Sequence, residues 1–239
     1  MKYIAGVVML MLTGVLTTKA QNLVYDANAQ VRKVDAFKGV SAGGGIIVYL
    51  SQGTEQAVAV SAEDIKYVDK IKTDVKNGVL KIYVDPGMWN NWSWGNKKIK
   101  AYVTVTELSR LEFSGGSIGK AVDPITVKDL SAECHGGSIV TGEFKGNSLN
   151  LDLSGGSIAN LQGAFTNASV DASGGAILNG FDVVVESCNA DASGGSIINV
   201  NVNKELSADA SGGSVVNYKG AGIIKRVDTS GGSSIRKKD

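Results

Sequence analysis

The chain has 239 residues, with 24 Lys and Arg against 23 Asp and Glu and a net charge of +1. That balance disfavours polyanionic partners, so binding of nucleic acid or of an anionic membrane surface is not expected. Thirty-one glycines beside two prolines would suggest low complexity if scattered, but they fall in a repeating pattern, which excludes a disordered chain.

Residues 1–20 read as a secretory leader. Lys2 gives a positive start, residues 4–16 are apolar, and Thr18-Lys19-Ala20 offers a small residue for cleavage. The apolar run is short for a membrane span, although an N-terminal anchor is the competing reading. No Cys succeeds the run, so a lipid anchor is not expected there. Removal of Lys2 and Lys19 would leave 22 basic and 23 acidic side chains. The mature chain is expected in the periplasm, on the outer-membrane surface or outside the cell, with no membrane insertion of its own.

Residues 21–107 form an N-terminal β region continuous with the C-terminal repeats. Segments 31–37, 46–50 and 57–61 have strand character. Asn77-Gly78 between apolar residues predicts a hairpin with a type I′ turn. Residues 63–70 suit one or two helical turns with Ile65 and Val68 on one side. Ser41-Ala42-Gly43-Gly44-Gly45-Ile46 is a worn copy of the corner motif of residues 108–239, which puts the start of the repeat here, with no true boundary near residue 107. Residues 88–96 hold all three tryptophans. Trp89, Trp92 and Trp94 are the candidate ligand-binding residues, as an aromatic platform for sugar rings or a partner. The competing reading is a loop folded over the sheet.

Residues 108–239 carry the organising motif, apolar–acid–apolar–Ser–Gly–Gly–Ser. It begins at Leu111-Glu112-Phe113-Ser114-Gly115-Gly116-Ser117 and returns at Gly136, Gly155, Gly174, Gly194, Gly212 and Gly231, at intervals of 18 to 21 residues. So short and regular a period predicts an all-β, right-handed parallel β-helix-like solenoid of about 19-residue coils. Gly-Gly makes each corner. Ile158, Ile177, Ile197 and Val215 are expected to open the next inward-pointing run, with Asn160, Asn179, Asn199 and Asn217 forming an axial amide ladder.

The acids Glu112, Glu133, Asp152, Asp171, Asp191, Asp209 and Asp228 would stack on the outer face. Each adjacent repulsion is about 1 kcal/mol in water. Relief could come from corner N–H groups in Asx-like turns. The alternative is a divalent cation held by Asp152, Asp171, Asp191 and Asp209. The calcium-binding nonapeptide pattern is missing, so no metal and no cofactor is assigned. His135, the only histidine, replaces a column serine between Ser114 and Ser154, with Glu133 two residues before it. A Ser–His–acid set is conceivable there, but every coil offers Ser and acid, and no insertion that forms a pocket is evident; no catalytic residue is assigned. Cys134 and Cys188 fall in apolar columns three coils apart, beyond bridging distance, and are expected free and buried.

The β-rich start, Val79-Leu80-Lys81-Ile82 after Asn77-Gly78, and the recurring Ser-Gly-Gly-Ser corners resemble the head-GIN domain family of autotransporter-adhesin-like proteins of Bacteroidota. The resemblance covers roughly residues 31–235. It implies a parallel β-helix-like fold, export, and an adhesive role without a catalytic residue set. The expected function is a non-catalytic envelope or surface protein presenting a rigid solenoid face to a glycan or protein ligand. The alternatives are a polysaccharide lyase or pectinase, and a purely structural envelope protein. Lysis is disfavoured because Lys120, Lys145, Lys204 and Lys219 lie away from the acid column. The C-terminal coil, with its charged tail at residues 234–239, leaves end-to-end self-association open.

Overall fold

The computed structural model describes residues 26–84 and 98–239. The predicted leader and Trp89, Trp92 and Trp94 lie outside the described residues. The protein is nearly all β, with 64% strand and 3% helix, wound as a parallel solenoid of about seven turns. Successive coils pair in register. Ser148–Leu153 lies on Asn167–Ala172, which lies on Ser187–Ala192, with like residues side by side at Asp152, Asp171 and Asp191. The alternation of apolar and polar residues sends one set inward and the other outward.

The interior is a bundle of columns one residue wide. Leu111, Ala132, Leu151, Val170, Ala190 and Ala208 form one column, all buried. Each fully buried Leu, Ile or Val contributes roughly 1.5–3 kcal/mol. Cys134 takes its place between Phe113 and Leu153, and Cys188 between Ala168 and Leu206. Both thiols are free and buried, in the columns where the repeat alignment put them. The columns reach the surface on the strand Ile223–Thr229, where Ile224 is 48% and Val227 40% exposed.

The coils do not stack wholly in chain order. The pair Gly39–Ala42 and Ile47–Gln52 lies between Val79–Val84 with Lys100–Val105 on one side and Arg110–Phe113 with Ile118–Ala121 on the other. The worn Ser-Ala-Gly-Gly-Gly motif is therefore a true coil, with a later stretch of chain inserted beneath it. The exposed flank of that inserted coil is covered by antiparallel strands. Ile71–Lys76 pairs with Val79–Val84 through the Asn77-Gly78 turn, whose φ values are +52° and +73°. Ala57–Ser61 pairs with Lys100–Val105, and Gln30–Arg32 with Ala57–Ser61. These strands close the edge of the parallel sheet at that end. The predicted helical turns are a 3-10 helix, Ile65–Lys70, whose Asp64 side chain accepts from the Lys66 N–H at 3.1 Å. Val68 is buried but Ile65 is 55% exposed, so the two do not share a core face.

One expectation about facing is corrected. Ile158, Ile177, Ile197 and Val215 point outward and are half-buried, while Ala159, Leu178, Ile198 and Val216 beside them are buried. The corner explains the reversal. Its fourth residue turns inward, and at most corners where that residue is serine its hydroxyl is satisfied on the previous coil. Ser138 Oγ donates to the Phe113 C=O at 3.0 Å, Ser196 Oγ to the Ala172 C=O at 2.9 Å and Ser214 Oγ to the Ala192 C=O at 3.0 Å. A small buried hydroxyl with a partner costs little, and it fixes the parity of everything downstream. Opposite the corner, Gly163 adopts φ +125°, where a Cβ would lie 1.9 Å from the Phe144 carbonyl oxygen. Only glycine lets the backbone of adjacent coils approach that closely.

Candidate functional site

Two outward faces carry organised polar chemistry. The first is the acid ribbon. Glu112, Glu133, Asp152, Asp171, Asp191, Asp209 and Asp228 stand in one register column. The corner amides do not relieve their repulsion, contrary to the Asx-turn expectation. The Gly175 N–H donates to the Gly155 C=O at 2.7 Å, and the Gly195 N–H to the Gly174 C=O at 2.6 Å, so these donors are spent on the neighbouring coil. Arginines clamp the two ends of the column instead. Arg110 bonds Glu112 at 2.5 Å and Glu133 at 2.8 Å; Arg226 bonds Asp228 at 2.7 Å and pairs with Asp209 at 3.4 Å. Basic residues therefore do reach the acid column, unlike the four lysines singled out from the sequence.

Between the clamps, partial burial and the charges of Asp171 and Asp209 push the Asp191 carboxyl above its ordinary value. The column's five aspartates line an open trough of about 580 Å³ together with Ser173, Ser193, Ser211 and Ser230. No group of three or more His, Cys, Asp or Glu side chains placed to hold a metal ion occurs among the described residues.

His135 stands beside this ribbon. Its Nδ1 lies 2.6 Å from Ser154 Oγ, and its backbone N–H donates to the Phe113 C=O at 2.9 Å. Glu133 turns to Arg110 rather than to the imidazole. The structure thus brings His135 and Ser154 together but does not assemble the three-member set, which needs the acid on the second ring nitrogen.

The second face is the amide ladder, where the sequence expectation holds. Asn160 Nδ2 donates to Thr141 Oγ1 at 3.4 Å, Asn179 Nδ2 to Asn160 Oδ1 at 2.8 Å, Asn199 Nδ2 to Asn179 Oδ1 at 3.4 Å and Asn217 Nδ2 to Asn199 Oδ1 at 2.9 Å. Two residues along from Thr141 and Asn160, and three along from Asn179, runs a second polar column, Glu143, Gln162 and Asp182. Together these columns floor a groove of about 440 Å³. Val122, Asp123 and Pro124 line one side of it.

This groove was not anticipated from the sequence, yet the signal was present in the repeat lengths. The interval from Gly115 to Gly136 is 21 residues and that from Gly174 to Gly194 is 20, against 19 for the two coils between them. The first excess falls between Lys120 and Ile125, which pair with Thr141 and Phe144. The second falls between Asn179 and Asp182, which pair with Asn160 and Gln162. Bulges and insertions of this kind re-aim side chains next to binding sites.

A family model for the "putative auto-transporter adhesin, head GIN domain" matches residues 36–222. The chain belongs to the head GIN domain family. Solved structures share the architecture. A Bacteroides fragilis protein described as a putative adhesin superposes with a TM-score of 0.80 at 21% identity, covering 88% of this chain and 96% of its own. A Parabacteroides merdae protein with the same description gives 0.66 at 15% identity, covering 88% and 95%. A Parabacteroides distasonis protein described as a putative lipid binding protein gives 0.66 at 22%, covering 88% and 96%. At these identities the likeness establishes the fold of this head GIN protein. A search of curated proteins finds no match. No helix among the described residues is long and apolar enough to cross a membrane.

Proposed function

We propose that this head GIN protein is an exported, non-catalytic adhesive protein that presents the outside of its solenoid to a glycan or protein ligand at the cell envelope or beyond. The observation that carries the reading is the register of the outer side chains. Chemically like groups repeat coil after coil on a scaffold whose backbone is bonded on both sides, as in the Asn160–Asn179 contact at 2.8 Å. Such a surface is preorganised, so little ordering entropy is lost when a long ligand lies along it. The family description and the shared fold support an adhesive role, and the basic start and apolar run of residues 1–16 support export.

The experiment is an array of glycans and matrix proteins probed with residues 21–239, alongside protease accessibility on intact cells. Selective saturable binding and surface cleavage are the expected results. Release of unsaturated uronides from acidic polysaccharides at enzymatic rates would replace the reading with a lyase.

A further inference from the structure

The groove on the amide ladder has a chemistry specific enough to name a ligand class. We infer that Thr141, Asn160, Asn179, Glu143, Gln162 and Asp182 form a binding site for a neutral, linear polysaccharide lying along the solenoid axis. The inference rests on the adhesive reading and gives it a site and a ligand chemistry.

The floor is a grid of two columns by three coils. Successive rows are about 4.8 Å apart, and the columns stand two residues apart on the first two strands, roughly 7 Å, with one further residue bulged out between Asn179 and Asp182 on the third. The ladder bonds engage only part of each amide. Asn160 uses one N–H toward Thr141 and one acceptor position toward Asn179. A primary amide has two N–H donors and two acceptor positions, so one of each remains. The parallel column adds Gln162 and Asp182, neither of whose side chains has a hydrogen-bond or ion-pair partner among the described residues, and Glu143, which is paired with Lys145 at 2.6 Å.

Every row therefore offers donors beside acceptors. A hydroxyl group matches this, because it both donates and accepts. An ammonium group has no acceptor for the amide N–H, and a sulfate or carboxylate has no donor for Asp182. Asp123, Glu143 and Asp182 also outnumber Lys145, which pairs with Glu143, and Lys120, which continues the ladder column at one end, so a polyanion is disfavoured. An extended peptide cannot add as a strand here, since each strand of the floor is bonded to a neighbour on both sides.

The exposed Val122, 51% accessible, gives the rim an apolar contact for the C–H face of a ring. The coil lengths point the same way. The two lengthened coils flank two regular ones, and the first insertion lines one side of a stretch of ladder that runs unbroken from Thr141 to Asn179. A linear polymer meets the same pair of columns at every row, and weak contacts add along it.

The test is isothermal titration of residues 21–239 with xylan, mixed-linkage β-glucan and mannan, with pectate and heparin as the anionic arm and polylysine as the cationic arm. Three variants are compared: Asn160→Ala, Asn160→Thr with Gln162→Ala, and deletion of Val122 with Asp123. The deletion restores a 19-residue coil. Melting temperature monitors folding, and Asp171→Asn on the acid ribbon is the control. The expected result is binding to at least one neutral polysaccharide, weakened tenfold or more by a folded groove variant and unchanged in the control. Equal binding by all folded variants would overturn the groove while leaving the adhesive reading standing. Binding confined to pectate, heparin or polylysine would overturn the ligand class. Failure to bind any polysaccharide, with retained binding to a protein on the array, would overturn this inference alone. Failure to bind anything would overturn both.

Discussion

Gly137 and Gly156 hold the same corner position in successive coils but differ in backbone sign: φ is +79° at Gly137 and not positive at Gly156. The corners up to Gly136-Gly137 have two positive φ values, as in a type I′ turn, and those from Gly155-Gly156 onward have one, as in type II′. The two types differ by a flip of the central peptide, which reverses its N–H. The Gly116 N–H accordingly donates forward to the Gly136 C=O at 3.2 Å, and the Gly175 N–H backward to the Gly155 C=O at 2.7 Å. At the seam, neither Gly137 nor Gly156 donates to a protein acceptor among the described residues. Amide exchange followed by NMR is expected to be fastest at these two second-position glycines and slower at Gly116, Gly175, Gly195 and Gly213.

The same flip sets the sign of a glycine substitution. Gly116→Ala forces a left-handed φ of +76° on alanine and is expected to cost about 1–2 kcal/mol. Gly195→Ala places its Cβ at an ordinary 3.5 Å from the Gly174 carbonyl oxygen with no positive φ. It should fall between neutral and about 1 kcal/mol stabilising, through the lost freedom of the unfolded chain. Urea melts of the two variants check this, and equal losses would contradict the turn assignment.

The acid ribbon predicts a pH dependence opposite to that of most carboxylates. Asp191 is held above its ordinary value of 3.8 by partial burial and by Asp171 and Asp209. The native state then holds the proton more tightly than the unfolded chain, so this contribution to stability grows as pH falls toward 3.8 and is lost as pH rises through the raised value. Asp191→Asn is expected to raise the melting temperature at pH 7 and to flatten that acid-side gain. Asp26 behaves in the other sense. Burial favours its neutral form, but hydrogen bonds from Ser61, Tyr102, Asn28 and Lys100 outweigh this and hold the carboxyl low. Its contribution is present above 3.8 and lost as pH falls through the lowered value.

Ser157 marks a local excess of polarity. Its Oγ is buried without a hydrogen-bond partner, while Ser138 and Ser196 in the same corner position are bonded, and Ala176 fills that position in the next coil. Ser157→Ala should be neutral or stabilising, and Ser196→Ala should cost about 1 kcal/mol. Chemical denaturation of both variants decides it.

Burial pushes the Cys134 and Cys188 thiols up to about 12. Native protein at pH 8 is expected to resist Ellman's reagent, and denaturation without reductant should release two reactive thiols. Fewer than two would point to a disulfide.

Much of the solenoid was legible in the sequence because the period is covalent information. Equivalent residues of a coil recur at a fixed count, so the acid column, the amide ladder and both cysteine positions could be placed by alignment alone. Three features were not. Hydrophobicity put Ile158 inside, but the corner seats Ser157 inward first and reverses the alternation. Composition could not show to which neighbouring coil a corner amide donates, since the choice lies in a peptide flip at Gly156 that leaves the residue types unchanged. The groove arises from one- and two-residue excesses near Asp182 and Asp123, which look like noise in a repeat until register shows that both face the same side.

The inserted coil constrains assembly. Gly39–Ala42 needs Val79–Val84 on one flank and Arg110–Phe113 on the other, so the first turn in the chain cannot be finished first. A polypeptide emerging amino end foremost has both flanks of that first turn only once residue 113 is free, and each further winding then finds a completed ledge to settle on. Maturation of this molecule is thus gated by one long-range closure, after which growth is local and proceeds from one end.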